Sequence, residues 1–298
     1  MTETVEIRAA DGQALIADVR EPRGNAIGVA VLAHAMFARR SEFERPSGDG
    51  LSAWLAERGW RTCAFDFRGH GESGPPAGRG GAWGYDDLVM LDLPAVVGSL
   101  RARAGALPVI VVGHSLGGHV ALAAAGTRTV HVDGLVLAAS NVWLPEDEPS
   151  RLRWIAKRGT ATLIDAVCRR RGFFPARALR LGSDDEAGGY MTDLTRFIRE
   201  GVWTSRDGGQ DYRASVANVR IPVVTIASRG DTFNCPPASA ARFVERVRGP
   251  MKTFTVEIAD DGGAPPDHMA LVTGPSARRQ WGQALAWMEE HVSPSARA

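Results

Sequence analysis

Pro108-Val109-Ile110-Val111-Val112-Gly113-His114-Ser115-Leu116-Gly117-Gly118 leads from a block of β-branched residues into an alanine-rich stretch that continues to Ala125. The first block reads as a buried strand and the second as a helix. Between them stands G-x-S-x-G, the mark of a sharp strand-to-helix turn that lifts a serine hydroxyl into a cleft. A strained backbone at the serine leaves no room for Cβ atoms two residues to either side, hence the glycines. The helix starting beneath Ser115 aims its first amides at any oxyanion formed there. In a chain with 34 glycines in 298 residues the pentapeptide alone carries little weight. The strand before it and the helix after it carry the reading.

Outward from this elbow, apolar runs alternate with helical patterns, which predicts a mostly parallel sheet covered by helices. Residues 4–7 and 14–19 flank Asp11-Gly12 as an opening hairpin. Residues 29–33 form a buried strand that ends at His34-Ala35-Met36-Phe37. A short helix over 51–58 closes at Gly59, and a strand over 61–66 leads into Arg68-Gly69-His70-Gly71-Glu72-Ser73. A long helix is expected over 86–103, bent at Pro94, and a sixth strand over 134–139. From about Asn141 to Asn218 the pattern changes to a helical, aromatic-rich stretch with no strand of sheet type. Alternation resumes with strands at 222–227 and 253–258, helices at 237–248 and 277–292, and a loose tail. This predicts a core of 1–140 and 219–298 with a helical cap, 141–218, inserted after the sixth strand. An insertion at the carboxyl ends of the strands lies over the crevice where open α/β sheets bind ligands.

Composition excludes several classes. An apolar content of 44% with 23% charged residues is that of a globular domain with a sizeable core. A net charge of +1 argues against a nucleic-acid partner. No window nears 18 uninterrupted apolar residues, so no membrane span is expected. The N-terminus has no apolar signal core. Cys63, Cys168 and Cys235, odd in number and scattered, fit a reduced, cytoplasmic protein. The oligomeric state is open.

A serine hydroxyl is a poor nucleophile near neutral pH and needs a base within hydrogen-bond reach, itself oriented by an acid. In chain order the sequence offers Ser115, Asp231 and His268, each just beyond the C-terminal end of an expected strand or in the loop after one. Together with His34-Ala35-Met36-Phe37, Asp66-Phe67-Arg68-Gly69-His70-Gly71-Glu72-Ser73, Gly230-Asp231, Pro236-Pro237 and Asp267-His268, the chain resembles the α/β-hydrolases, in their lidded, esterase- or lipase-like serine hydrolase branch. The resemblance implies Ser115 as nucleophile, Asp231 as acid and His268 as base. It also implies an oxyanion hole from the amides of Leu116 and Met36. The expected activity is cleavage of an ester or related acyl bond in a small, partly apolar substrate, with no cofactor and no metal. Acyl transfer, or thioesterase, lactonase, amidase or carbon–carbon hydrolase activity, would use the same triad, and a non-catalytic receptor would use the same scaffold. Serine at the elbow argues against the branches with a carboxylate nucleophile. One departure is Ala35, where many relatives place glycine; its Cβ is expected to narrow the approach to the oxyanion or to shift the loop.

The remaining residues sort by context. Phe37, His114, Trp143 and Trp203 are the candidate pocket residues. His34 and His70, in glycine-type turns, read as braces, and His119 on the elbow helix as structural. His131 and His291 receive no role. Asp267, next to the base in sequence, ranks behind Asp231 as the acid, and Asp260 and Asp261 begin a glycine turn. No histidine or cysteine spacing suggests a metal. Residues 151–180 carry Arg151, Arg153, Lys157, Arg158, Arg169, Arg170, Arg171, Arg177 and Arg180 against Asp165. They read first as solvated helix faces, and second as an entrance attracting anionic substrates or a membrane surface.

Overall fold

The computed structural model describes residues 2–292; the tail expected from the sequence lies outside them. The chain opens with β1 (Thr2–Arg8) and β2 (Ala14–Arg20), an antiparallel hairpin turned at Gly12. There follow β3 (Gly28–Ala33), α1 (Leu51–Glu57) and β4 (Trp60–Phe65). Next come α2 (Tyr85–Asp87), α3 (Leu93–Ala104), β5 (Val109–His114), α4 (Leu116–Gly126) and β6 (Gly134–Ala138). The segment between β6 and the next sheet strand carries α5 (Arg151–Arg171), β7 (Phe173–Phe174), β8 (Glu186–Ala187), α6 (Gly188–Glu200) and α7 (Tyr212–Ser215). The chain closes with β9 (Val223–Ser228), α8 (Pro237–Val244), β10 (Met251–Val256), α9 (Ala270–Thr273) and α10 (Arg278–Val292).

The eight-stranded sheet has the order β1-β2-β4-β3-β5-β6-β9-β10, antiparallel at β1–β2 and β2–β4 and parallel elsewhere. Strands β3, β5, β6 and β9 are buried along their whole length, which is why they read as unbroken apolar runs. Successive side chains alternate between two cores. Val29, Val31, Val109, Val111, Leu135 and Leu137 join α3 and α4 on one face. Ala30, Leu32, Ile110, Val112, Val136 and Ile226 join α1 and α10 on the other. After β3 the chain builds β4 on one side, then β5 on the other. The loops after β3 and β5 therefore splay from a switch point, and the crevice between them opens at the strands' carboxyl ends.

Two local expectations change. The helix around Pro94 is not simply bent there: it widens into a π turn over Leu88–Asp92, just ahead of the proline. Proline lacks an N–H and its ring crowds the preceding turn, so the irregularity falls on the N-terminal side. The segment expected to be free of strands contains β7 and β8, which pair only with each other, apart from the main sheet.

Candidate active site

Strand β5 ends at His114, and the chain reverses at Ser115 with φ 49° and ψ −108°, a left-handed backbone unusual for a non-glycine residue. Helix α4 begins at once, with the Gly118 and His119 amides bonded to the Ser115 carbonyl at 3.1 and 3.2 Å. The glycines are required by close approach: a Cβ on Gly117 would strike the Ala33 carbonyl, and one on Gly118 the Ser140 side chain. Ser115 is thereby pressed between β3, β5 and β6 with its side chain facing a cavity of about 540 Å³. Ala35, Met36, Phe37, Leu116, Asp231 and His268 line the same cavity, along with apolar residues of α5 and α6.

Asp231 stands in the loop after β9 and His268 in the loop after β10. His268 Nδ1 and Asp231 Oδ2 are 2.5 Å apart. The loops meet because Gly230 has no side chain; a Cβ there would collide with the carbonyls of Pro265 and Pro266. Ser228 Oγ donates to the Pro266 carbonyl at 2.5 Å and fastens the same junction. Asp231 also accepts from the amides of Asn234 and Cys235, both at 2.9 Å. Burial raises its carboxyl pKa, but the bond and charge of His268 and these two amides outweigh it and hold the group below the ordinary value. Asp267 is used otherwise: its Oδ1 accepts from the Met269 and Ala270 amides at the start of α9. Ser115 Oγ makes no hydrogen bond with His268 here; the two side chains share the cavity wall.

The amides around the serine divide sharply. Ala35 N–H donates to Glu42 Oε1 at 3.0 Å, Phe37 N–H to Glu186 Oε1 at 3.1 Å, and Gly117 N–H to the His34 carbonyl at 3.1 Å. Those of Met36 and Leu116 have no partner among the described residues, and both residues face the cavity. Ala35 lines the cavity between His34 and the free Met36 amide. The left-handed residue of this loop is Phe37, with φ 65°.

The candidate pocket residues separate into two pairs. Phe37 and Trp143 line the cavity. His114 and Trp203 do not. Trp203 packs against Tyr212 and Phe243 in the core. His114 is buried behind the wall, with Nδ1 3.2 Å from Glu42 Oε1 and Nε2 3.0 Å from the His268 carbonyl. Both neighbours of the ring accept hydrogen bonds, so it serves them together only as an imidazolium. Burial works against that charge and Glu42 favours it, with the net effect of raising the pKa. Glu42, which also takes the Ala35 amide, thus links the β3 loop to the His268 loop, and no sequence signal pointed to it.

The braces behave as read, with unexpected partners. His34 is buried, with Nδ1 2.8 Å from the Ala35 carbonyl while its Nε2 accepts from Phe67 N–H. His70 Nε2 lies 3.0 Å from Glu186 Oε1 in a fully buried pair. Burial disfavours the charge, but Glu186 more than compensates and lifts His70 to about 9. Glu186 and its neighbours enclose Phe37 from the segment between β6 and β9: the Ser183 and Asp184 amides donate to the Phe37 carbonyl at 2.7 and 3.0 Å. On the other side of the cavity, Lys157 departs from a solvated helix face. It is wholly buried, donates to Glu148 Oε2 at 2.8 Å and to the Asn234 carbonyl at 3.3 Å, and lies 5.0 Å from the Trp143 ring centre. Arg151, Arg158, Arg169, Arg170, Arg171, Arg177 and Arg180 are exposed, as that reading expects. No group of three or more His, Cys, Asp or Glu among the described residues is arranged to hold a metal ion, and no described helix is long and apolar enough to cross a membrane.

Comparisons with known proteins agree with this architecture. A search of curated proteins returns no significant match. Among solved structures, the chain is similar to an esterase from Exiguobacterium antarcticum, at 18% identity and TM-score 0.63, over 97% of this chain and 100% of that one. It is similar to the Pyrococcus furiosus esterase Pf2001, at 17% identity and TM-score 0.62, over 98% and 91%. It is also similar to a protein solved as a DcsB complex with its substrate analogue, at 15% identity and TM-score 0.65, over 98% and 100%. At such identities the likeness shows a shared fold. A family model described as serine aminopeptidase, S33, matches residues 47–257, a span that contains Ser115 and Asp231 and stops short of His268. With that match over well more than half its length, the chain belongs to this family of α/β-hydrolase enzymes.

Proposed function

We propose that the protein is a serine hydrolase that cleaves an ester or related acyl bond of a small, partly apolar substrate through Ser115, His268 and Asp231. The observation that carries this reading is the convergence of three features on one cavity. These are a serine on a left-handed turn, a histidine tied to a buried carboxylate at 2.5 Å, and two unpartnered amides. In this reading Ser115 Oγ attacks the carbonyl carbon while its proton passes to His268 Nε2. The Met36 and Leu116 amides take the developing oxyanion, an interaction that strengthens in the transition state. The tetrahedral adduct collapses, the leaving alcohol takes the proton from His268, and the acyl group stays on Ser115. Water then attacks the acyl-enzyme with its proton passing to His268; the second adduct collapses, Ser115 Oγ takes that proton back from His268, and the acid departs. Asp231 keeps the proton on Nδ1 and stabilises the imidazolium.

Residues 141–218 act as a cap over this chemistry, supplying the apolar wall from α5 and α6. Three buried, unpaired cysteines support work in a reducing compartment, the cytoplasm.

A fluorophosphonate probe with peptide mapping tests the reading. Wild type is expected to label at Ser115, and Ser115→Ala and His268→Ala to lose the label. Folded wild-type protein that stays unlabelled would sink it.

A further inference from the structure

The backbone of His268 is held at a single point. Among the described residues its N–H has no partner, and its carbonyl accepts one hydrogen bond, from His114 Nε2 at 3.0 Å. Asp231 orients the ring of this histidine, but the peptide that carries the ring rests on His114. The same imidazole turns its other nitrogen to Glu42, with Nδ1 3.2 Å from Oε1 and 3.3 Å from Oε2. Glu42 Oε1 in turn takes the Ala35 amide at 3.0 Å, and the next amide along the chain is the unpartnered one of Met36. His114 is also the last residue of β5, joined by a peptide bond to Ser115. One buried pair, 1% and 4% exposed, therefore touches the turn of the serine, the loop of the histidine and the loop of an oxyanion donor. A neutral ring carries one N–H and would serve only one of its two acceptors. Glu42 and Asp231 favour the charged ring; His34 and the His268 ring, 5.3 Å away between centres, are the other titratable groups beside it.

We propose that His114 and Glu42 are positioning residues for the hydrolysis, holding the His268 peptide and the Met36 amide at fixed places about Ser115. Neither side chain touches the reacting atoms; one works through His268 and the other through Ala35. A buried ion pair adds little net stability over an apolar pair of similar volume, whereas its hydrogen bonds fix direction. The inference rests on the hydrolase reading above and deepens it.

Two variants test it. Glutamine at position 42 offers an N–H to His114 Nδ1 and its oxygen to the Ala35 amide, leaving Nε2–H for His268, so every bond survives without charge. Glu42→Gln is expected to keep kcat for p-nitrophenyl butyrate within about threefold of wild type. The double variant Glu42→Gln, His114→Phe strands no charge but takes the donor from the His268 carbonyl. Its kcat is expected to fall by about tenfold to a hundredfold with KM within about twofold, and fluorophosphonate labelling to slow in step. A folded double variant with wild-type kcat overturns the proposal, as does Glu42→Gln losing as much as the double variant. Heteronuclear NMR of isotope-labelled histidines near neutral pH tests it without relying on the double variant. His114 is expected to carry protons on both nitrogens in wild type and on Nε2 alone in Glu42→Gln; a neutral His114 in wild type overturns the proposal. Wild type with neither turnover nor label at Ser115 overturns the hydrolase reading and this inference with it, whereas turnover that the double variant matches overturns the inference alone.

Discussion

Asp231 Oδ2 receives a ring N–H from His268 and a backbone N–H from Cys235, so the acid is held by donors on two sides. Asparagine at this position presents an N–H toward one of those donors or turns the His268 ring to its other tautomer, leaving no free lone pair for the serine proton. Asp231→Asn is therefore expected to keep the fold and lower kcat by about 10³–10⁴-fold. Steady-state turnover of a short-chain ester on protein of unchanged circular dichroism checks this, and near wild-type turnover would remove Asp231 from the triad. The proposed triad was legible because its residue types fall just after strand ends in a recognisable order. Glu42 was not, because it sits in an irregular loop with no motif, and its worth comes from reaching the Ala35 amide and His114 in three dimensions.

Helix α5 shows how an element's charge pattern misleads when read along the chain. Its arginines mostly face solvent, while Lys157, on the buried stripe, turns inward to Glu148 and to the loop that holds Asp231. Burial lowers the Lys157 pKa, and the Glu148 bond opposes this without fully offsetting it. Removing one partner of a buried pair strands the other charge. Lys157→Met is expected to cost about 3 kcal/mol, at the low end because Arg153 still reaches Glu148 Oε1 at 3.2 Å. The Lys157→Met, Glu148→Gln double variant should recover much of that loss. Urea unfolding of both variants measures it, and a single variant as stable as wild type would contradict the assignment. The same pattern explains the aromatics: Phe174, Phe197 and Trp203 are buried away from the cavity, while Tyr190 and Trp143 line it. Sequence spacing did not divide them.

Across the whole molecule, the 183–186 segment is tied to the loops after β3 and β4 by ionic contacts, one half-exposed and one buried. Arg39 pairs with Asp184, and His70 with Glu186, which also takes the Phe37 amide. His70 also faces Asp184, the ring of His34 and the Arg68 carbonyl. Its folded pKa, about 9, lies above the unfolded value near 6.5. The stability it contributes is therefore complete below about pH 6.5 and is lost as pH rises through about 9, amounting to a few kcal/mol at most. Urea midpoints at pH 6.5, 8 and 9.5 should fall in that order for wild type, with a flatter trend for His70→Gln. An equally steep trend in the variant would place the titration elsewhere.

The sequence by itself determined the sheet, the elbow and the chain order of serine, aspartate and histidine. These depend on local rules: β-branched runs for buried strands, glycines where a tight turn admits no Cβ, and polar residues where strands end. Tertiary structure alone decided which polar groups meet across the chain. His114 bonds to Glu42, His70 to Glu186 and Lys157 to Asn234, while Tyr190 keeps a hydroxyl with no partner among the described residues. The physical reason is that hydrogen bonding and desolvation act over a few ångströms in space. Glu186 is 116 positions from the histidine it charges, and nothing along those positions records the distance.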